Sequence, residues 1–243
     1  MNTCHDISSS PFEQNSRYLS FMIAFCFTTF GWMSAAVAGD QQLLVEKAKH
    51  TIESFATDPN LTWFQDHVKE AKALLIAPQV LKGAFFLGVD GGSGVLLIRD
   101  EETRKWSQPA FYTLGGISFG FQWGGQASEL ILMARTKGAV EKLFSSSFKL
   151  GGDASIAAGP YGGGVEGATS ANLQADFLTF SRAKGAFAGI SFEGSLLKVD
   201  DEANESYYKK KGVRPVDILM KGSVSNSNSA GLRGAVTKAS KKR

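Results

Sequence analysis

Residues 162–167, "GGGVEG", place Gly162, Gly164 and Gly167 in a G-x-G-x-x-G pattern. In a dinucleotide site such glycines turn a buried strand into a helix whose N-terminus holds the pyrophosphate. Here Gly167 is followed by "ATSANLQADFLTF", which has no long apolar helical stripe, and its "DFLTF" reads as the next strand. The motif lacks its context, and alone it says little, so no nucleotide site is expected. "SSFK" (146–149) matches S-x-x-K, but no K-T-G partner follows and a helix end is expected there. H-E-x-x-H and the P-loop are both absent. His50 and His67 lie on N-terminal helices and read as surface residues. Asp200, Asp201, Glu202 and Glu205 lack the spacing of a calcium loop, and acids at a helix N-terminus need no metal to explain them. With no nucleophile–base constellation visible, the chain reads as a binding protein and not an enzyme. No metal, cofactor, nucleotide or nucleic acid is expected.

Charge supplies the remaining chemistry. Between Asp40 and Tyr208 there are 15 basic and 20 acidic residues, whereas Lys209–Arg243 holds 10 basic residues and one acid, Asp217. A slightly acidic body therefore carries a basic end. Lys238, Lys241, Lys242 and Arg243 close it, after "SVSNSNSAG" (223–231), which reads by composition as a flexible linker. Residues 223–243 are thus expected to form a flexible basic tail.

The start of the chain reads as a secretory leader. Arg17 precedes the apolar run "YLSFMIAFCFTTFGWM", and Ala36-Val37-Ala38 supplies a small-x-small cleavage site. Residues 1–38 are expected to be removed, so that the mature protein starts at Gly39 and works in the periplasm or outside the cell. The alternative, an uncleaved anchor, would need about 20 apolar residues, more than this run offers. Cys4 and Cys26 both lie in the leader, so the mature chain has no thiol for a disulfide, a metal site or catalysis.

The elements follow from periodicity. In "QQLLVEKAKHTIESFA", Leu44, Ala48, Ile52 and Phe55 recur at helical spacing, with Lys47 and Lys49 beside the stripe. Asp58-Pro59 ends that helix, and "NLTWFQDHVKEAK" (60–72) starts another with Asn60 as its N-cap. Then short apolar runs follow one another: "ALLIA" (73–77), "AFFLGV" (84–89), "GVLLI" (94–98) and "AFYTL" (110–114). Ile117, Phe119, Phe121 and Trp123 alternate with small or polar residues, and "AFAGISFEGS" (186–195) alternates likewise. Of 27 glycines, 21 fall between Gly83 and Gly194, where they mark bends, bulges or close backbone approach. A helix is expected within 136–146, from the stripe Ala139, Val140, Leu143 and Phe144, and another over 200–212, stopping at Gly212. The expected class is α+β: a mostly antiparallel, glycine-rich β barrel or sandwich with N-terminal helices, one mid-chain helix and a C-terminal helix.

Three long blocks, "AKALLIAPQVLKGAFFLGVDGGSGVLLIRD", "WSQPAFYTLGGISFGFQWGGQASELILM" and "SSSFKLGGDASIAAGPYGGGVEGATSA", resemble the SYLF-domain family. "SRAKGAFAGISFEGSLLKVDDEANESYYKKKGV" and "DIL" (217–219) continue the likeness, which covers roughly residues 41–220. Bacterial members of the family are described as lipid-binding, a yeast relative as actin-binding, and eukaryotic relatives as phosphatidylinositol-phosphate binders acting partly through an amphipathic helix at the domain's start. The resemblance implies a SYLF-like lipid-binding domain over 39–222 and no catalytic residues. Its segment matching that helix holds Leu44, Lys47, Ala48, Lys49 and Ile52. With Lys238, Lys241, Lys242 and Arg243, these are the expected contacts to an anionic lipid or membrane surface of a bacterial envelope. The alternative is an envelope structural or protein-interaction module without bound lipid.

Overall fold

The computed structural model describes residues 33–84, 88–118, 124–160, 174–183 and 192–241. The chain falls into two units, Met1–Asp40 and Gln41–Arg243. In the first, the described residues are helical backbone from Met33 onward, and the rest of the expected leader lies outside the described residues. Among the described residues no helix is long and apolar enough to cross a membrane.

Helix α1 (Met33–Phe55) leads through the short α2 (Thr62–His67) into the sheet. Asn60 does not cap α2. The cap position is Leu61, and the Asn60 N–H instead donates to Asp58 Oδ1 at 3.0 Å, closing the turn that follows Asp58-Pro59. Strands β1 (Ala73–Ala84), β2 (Gly88–Ile98) and β3 (Ala110–Ser118) form successive antiparallel hairpins, and β4 (Gly124–Ala134) returns to pair antiparallel with β1. Helix α3 (Lys137–Lys142) follows, then β5 (Ser147–Lys149), β6 (Ile156–Ala158), β7 (Phe177–Ala183) and β8 (Leu196–Val199). Helices α4 (Asp201–Tyr208), α5 (Pro215–Leu219) and α6 (Ala230–Ala239) end the fold. Among the described residues eight strands make one curled sheet, a half-barrel in the order β5-β8-β3-β2-β1-β4-β7-β6, antiparallel except at β6–β7.

The apolar runs are continuous because both faces of the sheet are covered. On one face Leu74, Ile76, Val95, Leu97, Phe111, Ile131 and Met133 pack under α1, α4 and α6. On the other, Leu75, Leu96, Tyr112, Leu130 and Leu132 pack under α3 and α5. Each buried Leu, Ile or Phe contributes about 1.5–3 kcal/mol before entropy is charged against it.

The glycines have a specific job in the middle of the sheet. β1 lies between β2 and β4, yet carries Pro78, which has no N–H for the ladder. The register shifts around it, between Ile76 and Gln79 toward β2 and between Ala77 and Val80 toward β4. This bulge pushes backbone toward β2. A Cβ on Gly92 would stand 2.5 Å from Gln79 O, and one on Gly94 would stand 3.0 Å from Ile76 O. Glycine is required there because another main chain already fills the space.

Several sequence expectations are corrected. "SVSNSNSAG" and the basic end are not a flexible tail through Ala239: Ser227–Ser229 form a 3₁₀ turn and Ala230–Ala239 a helix. The polar residues of that segment cap and anchor it, and Leu232, Ala235, Val236 and Ala239 are buried core. "SSFK" runs into strand β5 rather than a helix end. Residues 192–195 form a turn, with the strand starting at Leu196. Helix α4 stops at Tyr208 because Lys209 takes the left-handed conformation, φ 50°, three residues before Gly212. The alternating residues Phe119, Phe121 and Trp123, the stretch 186–191 and "GGGVEG" lie outside the described residues.

Candidate functional site

A cleft of about 760 Å³ opens between the β2–β3 connection and α6. Its first wall is a tight polar turn. Arg99 and Trp106 pair as an isolated bridge, and Asp100 Oδ1 accepts from the Thr103 N–H at 2.6 Å and the Thr103 hydroxyl at 2.7 Å. This turn holds Arg104 in the left-handed region, φ 57°, a conformation costly for a residue with a Cβ. Arg99 and Arg104 both donate to Lys69 O, and the Arg99 guanidinium lies over the Trp106 ring, 5.8 Å from its centroid.

The second wall is α6. Its start is tied down by Asn226, whose side chain accepts from Asn228 N and donates to Tyr207 O at 3.0 Å. Ser229 Oγ donates to Gln108 Oε1 at 2.7 Å. Leu232, Ala235, Val236 and Ala239 fall at helical spacing and face the core. The opposite side of the same helix sends Arg233, Thr237 and Lys238 to the cleft, with Lys241 just beyond. Arg233 Nε and Nη2 donate to Trp106 O at 3.2 and 3.1 Å, stitching the two walls together.

Six cations therefore line one cleft: Arg99, Arg104, Lys105, Arg233, Lys238 and Lys241. Among the described residues no carboxylate lines it, and none of the six is in an ion pair. Two acids of the adjoining turn are occupied elsewhere. Asp100 serves its turn, and Glu101 pairs with Lys72 and Lys137, whose hydrogen bonds hold its carboxyl below the usual range. Burial, with Arg104 beside it, lowers the pKa of Arg99. Like charges held together in one cleft repel, and a bound anion relieves that repulsion.

A second depression, about 520 Å³, has paired charges instead. Lys47, His50 and Thr51 of α1 face Gln79, Glu129 and Arg182 across it. Arg182 donates to Glu129, to Asp58 at 3.2 Å and to Ser54 at 2.7 Å, and stacks over Phe55 at 5.2 Å. Thr51 completes the set, donating to Glu129 at 2.9 Å. These charges neutralise one another, and the network pins α1 to β4 and β7.

Buried hydroxyls offer no acid–base chemistry near neutral pH. Tyr112 donates to Leu143 O and Tyr208 to Pro109 O at 2.5 Å, and burial raises both far above the ordinary phenol value. Burial, aided by Glu46, pushes Tyr207 up to about 12. Among the described residues no group of three or more His, Cys, Asp or Glu could hold a metal. Asp200 accepts from Ala203 N at 3.0 Å as the cap of α4, and Glu205 Oε1 accepts from Gly212 N at 2.7 Å. His50 is exposed beside Glu53, and His67 stacks on Trp63 with ring centroids 4.0 Å apart.

The sequence-derived contact residues are dispersed. Ala48 and Ile52 are fully buried and Leu44 packs at the edge of the core, so this stripe is occupied by the sheet. Lys47 is exposed at the rim of the second depression, and Lys49 lies over Gly231 at the start of α6. Lys238 and Lys241 enter the basic cleft, while Lys242 and Arg243 lie outside the described residues. Sequence reasoning missed Arg99, Arg104, Lys105, Trp106 and Arg233. The run "RDEETRKW" (99–106) did carry a signal, since its charges sit in a turn between two apolar runs.

A family model described as Ysc84, Las17-binding protein actin regulator, matches residues 115–239. SH3 domain-containing YSC84-like protein 1 of Bos taurus is 36% identical over 153 residues, 63% of this chain and 44% of that protein. Its Homo sapiens counterpart is 34% identical over the same shares. LAS seventeen-binding protein 3 of Saccharomyces cerevisiae is 35% identical over 173 residues, 67% of this chain and 37% of its own length. The chain spans less than half the length of these curated relatives.

Proposed function

This chain belongs to the Ysc84, or SYLF-domain, family, and from that premise we propose that it is a non-enzymatic binding module attaching to an anionic membrane surface of the cell envelope. The proposal includes removal of residues 1–38, with Gly39 starting a periplasmic or secreted protein. The observation that carries the reading is the cleft in which, among the described residues, six cations meet no carboxylate. Each Lys or Arg near an anionic surface contributes about 1 kcal/mol, so six supply roughly 6 kcal/mol, a Kd on the order of tens of micromolar. The last four basic residues alone would give roughly 4 kcal/mol, in the millimolar range. The folded cleft thus adds what a loose tail lacks. The Ala48–Ile52 stripe supports attachment only if α1 leaves the sheet, against the Arg182 network that holds it. A protein-interaction module is the second reading, favoured by the family's description as regulators that bind Las17.

The test is flotation of the full chain with phosphatidylcholine vesicles, with and without phosphatidylglycerol, at low and high salt. Shortening the chain is unsuitable, because Leu232 and Val236 of α6 are core. Charge reversal at exposed Lys238 and Lys241, written K238E and K241E, leaves the core intact. Binding to the anionic vesicles should fall with salt and fall further in the double variant. Equal flotation on neutral and anionic vesicles, or none on either, would sink the membrane reading.

A further inference from the structure

The wall of the cleft formed by α6 holds a glycine that the fold does not require. Gly234 lies inside the helix, is exposed and lines the cleft, and a Cβ added there would meet nothing within 4 Å. Gly92, by contrast, faces main chain. Glycine weakens a helix interior relative to alanine. Where nothing inside the fold demands one, it suits the close approach of a backbone or ligand from outside. Thr237 follows on the same face, and its hydroxyl donates to Arg233 O at 2.7 Å. With that proton engaged, the oxygen offers lone pairs to the cleft, which a main-chain N–H can use and an anion cannot.

The cations are spread out and not gathered at one point. From Arg233 through Lys238 to Lys241 the α6 wall extends about 12 Å at the helical rise. Arg99, Arg104 and Lys105 face it from the turn. A thread of separated charges reaches more of these groups than one compact anion does. In an extended chain, side chains on one side recur about every 6.6 Å, so acids at positions i, i+2 and i+4 span about 13 Å. That repeat matches the cations of α6. The cleft, about 760 Å³, has room for a short extended segment and not for a folded domain.

Resting on the protein-interaction reading above, we propose that the cleft docks an extended acidic segment of a partner protein, its alternate acids paired with Arg233, Lys238 and Lys241 and its main chain laid against Gly234. Charge complementarity steers the segment in, and the missing side chain at Gly234 lets backbone meet backbone. The site thereby reads the spacing of acids as well as their number. A flat anionic surface meets the cations at the rim but makes no use of the glycine.

The experiment titrates the full chain calorimetrically with a peptide of alternating glutamate and serine, and with a block peptide of the same composition. Flotation on phosphatidylglycerol vesicles runs in parallel. Saturable one-to-one binding of the alternating peptide is expected, tighter than that of the block peptide. Gly234→Ala should weaken it about fivefold or more, as filling a close contact does, and leave flotation unchanged. The same variant should raise the melting temperature by about 2–4 °C, because alanine favours the helix and nothing obstructs its methyl group. K238Q, at an exposed position, should weaken peptide binding and flotation together. Equal affinity for the two peptides, or an affinity unchanged in Gly234→Ala, overturns the extended-segment site and leaves the protein-interaction reading standing. Flotation with no binding of either peptide overturns both and assigns the cleft to a membrane surface. Binding of the alternating peptide without flotation upholds the docking site and sinks the membrane reading.

Discussion

Gly92→Ala tests whether the bulge at Pro78 dictates the glycines opposite it. The added Cβ would stand 2.5 Å from Gln79 O, where an ordinary C···O contact is about 3.3–3.6 Å. Something must therefore move by roughly 0.8 Å or more, judged against that contact. The atom met is main chain in a strand held on both sides, by β2 and β4, so it has little room to retreat. Overpacking of this kind costs about 1–3 kcal/mol. Replacing glycine also lowers the entropy of the unfolded chain, which returns about 0.4–1 kcal/mol. Gly115→Ala is the matched control, since a Cβ there meets nothing within 4 Å. Both variants change the unfolded chain alike, so their difference isolates the clash, about 2 kcal/mol. For a domain of this size that separates their melting temperatures by about 4–8 °C, with Gly92→Ala the lower. The measurement is thermal melting of both variants and the parent, with urea midpoints as a check. Equal melting temperatures, or a gain from Gly92→Ala, would refute the bulge argument.

Two further outcomes are expected. Asp176 accepts from Thr136 Oγ1 at 2.7 Å and Ser155 Oγ at 2.8 Å, and these bonds hold its carboxyl below the usual range. A depressed carboxylate stabilises the fold above its unfolded pKa, and that contribution is lost as pH falls through the folded value. Asp176→Asn should therefore cost about 1 kcal/mol at neutral pH, with the gap from the parent closing below about pH 4 in urea midpoints; a pH-independent gap would count against it. N-terminal sequencing of protein from the envelope fraction should read Gly39 first, and a chain that keeps Met1 would end the export proposal.

Helix α1 was legible because its stripe repeats at 3.6 residues, and the strands because both of their faces are apolar. The glycine excess announced close backbone approach, and Gly92 and Gly94 opposite the Pro78 bulge show where. The order of the family blocks identified the family. These features depend on neighbours within a few residues, or on the chain order itself.

What the stripe of α1 covers is a different kind of fact. Periodicity gives a helix an apolar side without saying whether a sheet or a bilayer will meet it. Ala48 and Ile52 went to the sheet because Arg182, far along the chain, reaches Asp58 and Ser54 and closes the helix down. The C-terminal segment looked flexible because Asn226 and Ser229 are polar, but their partners are Tyr207 and Gln108, the latter 121 residues from Ser229. Arg99 and Lys238 share a cleft only once α6 docks beside the β2–β3 connection. Docking burial and long-range hydrogen bonds set which charges become neighbours, so tertiary structure alone could turn a basic end into a site.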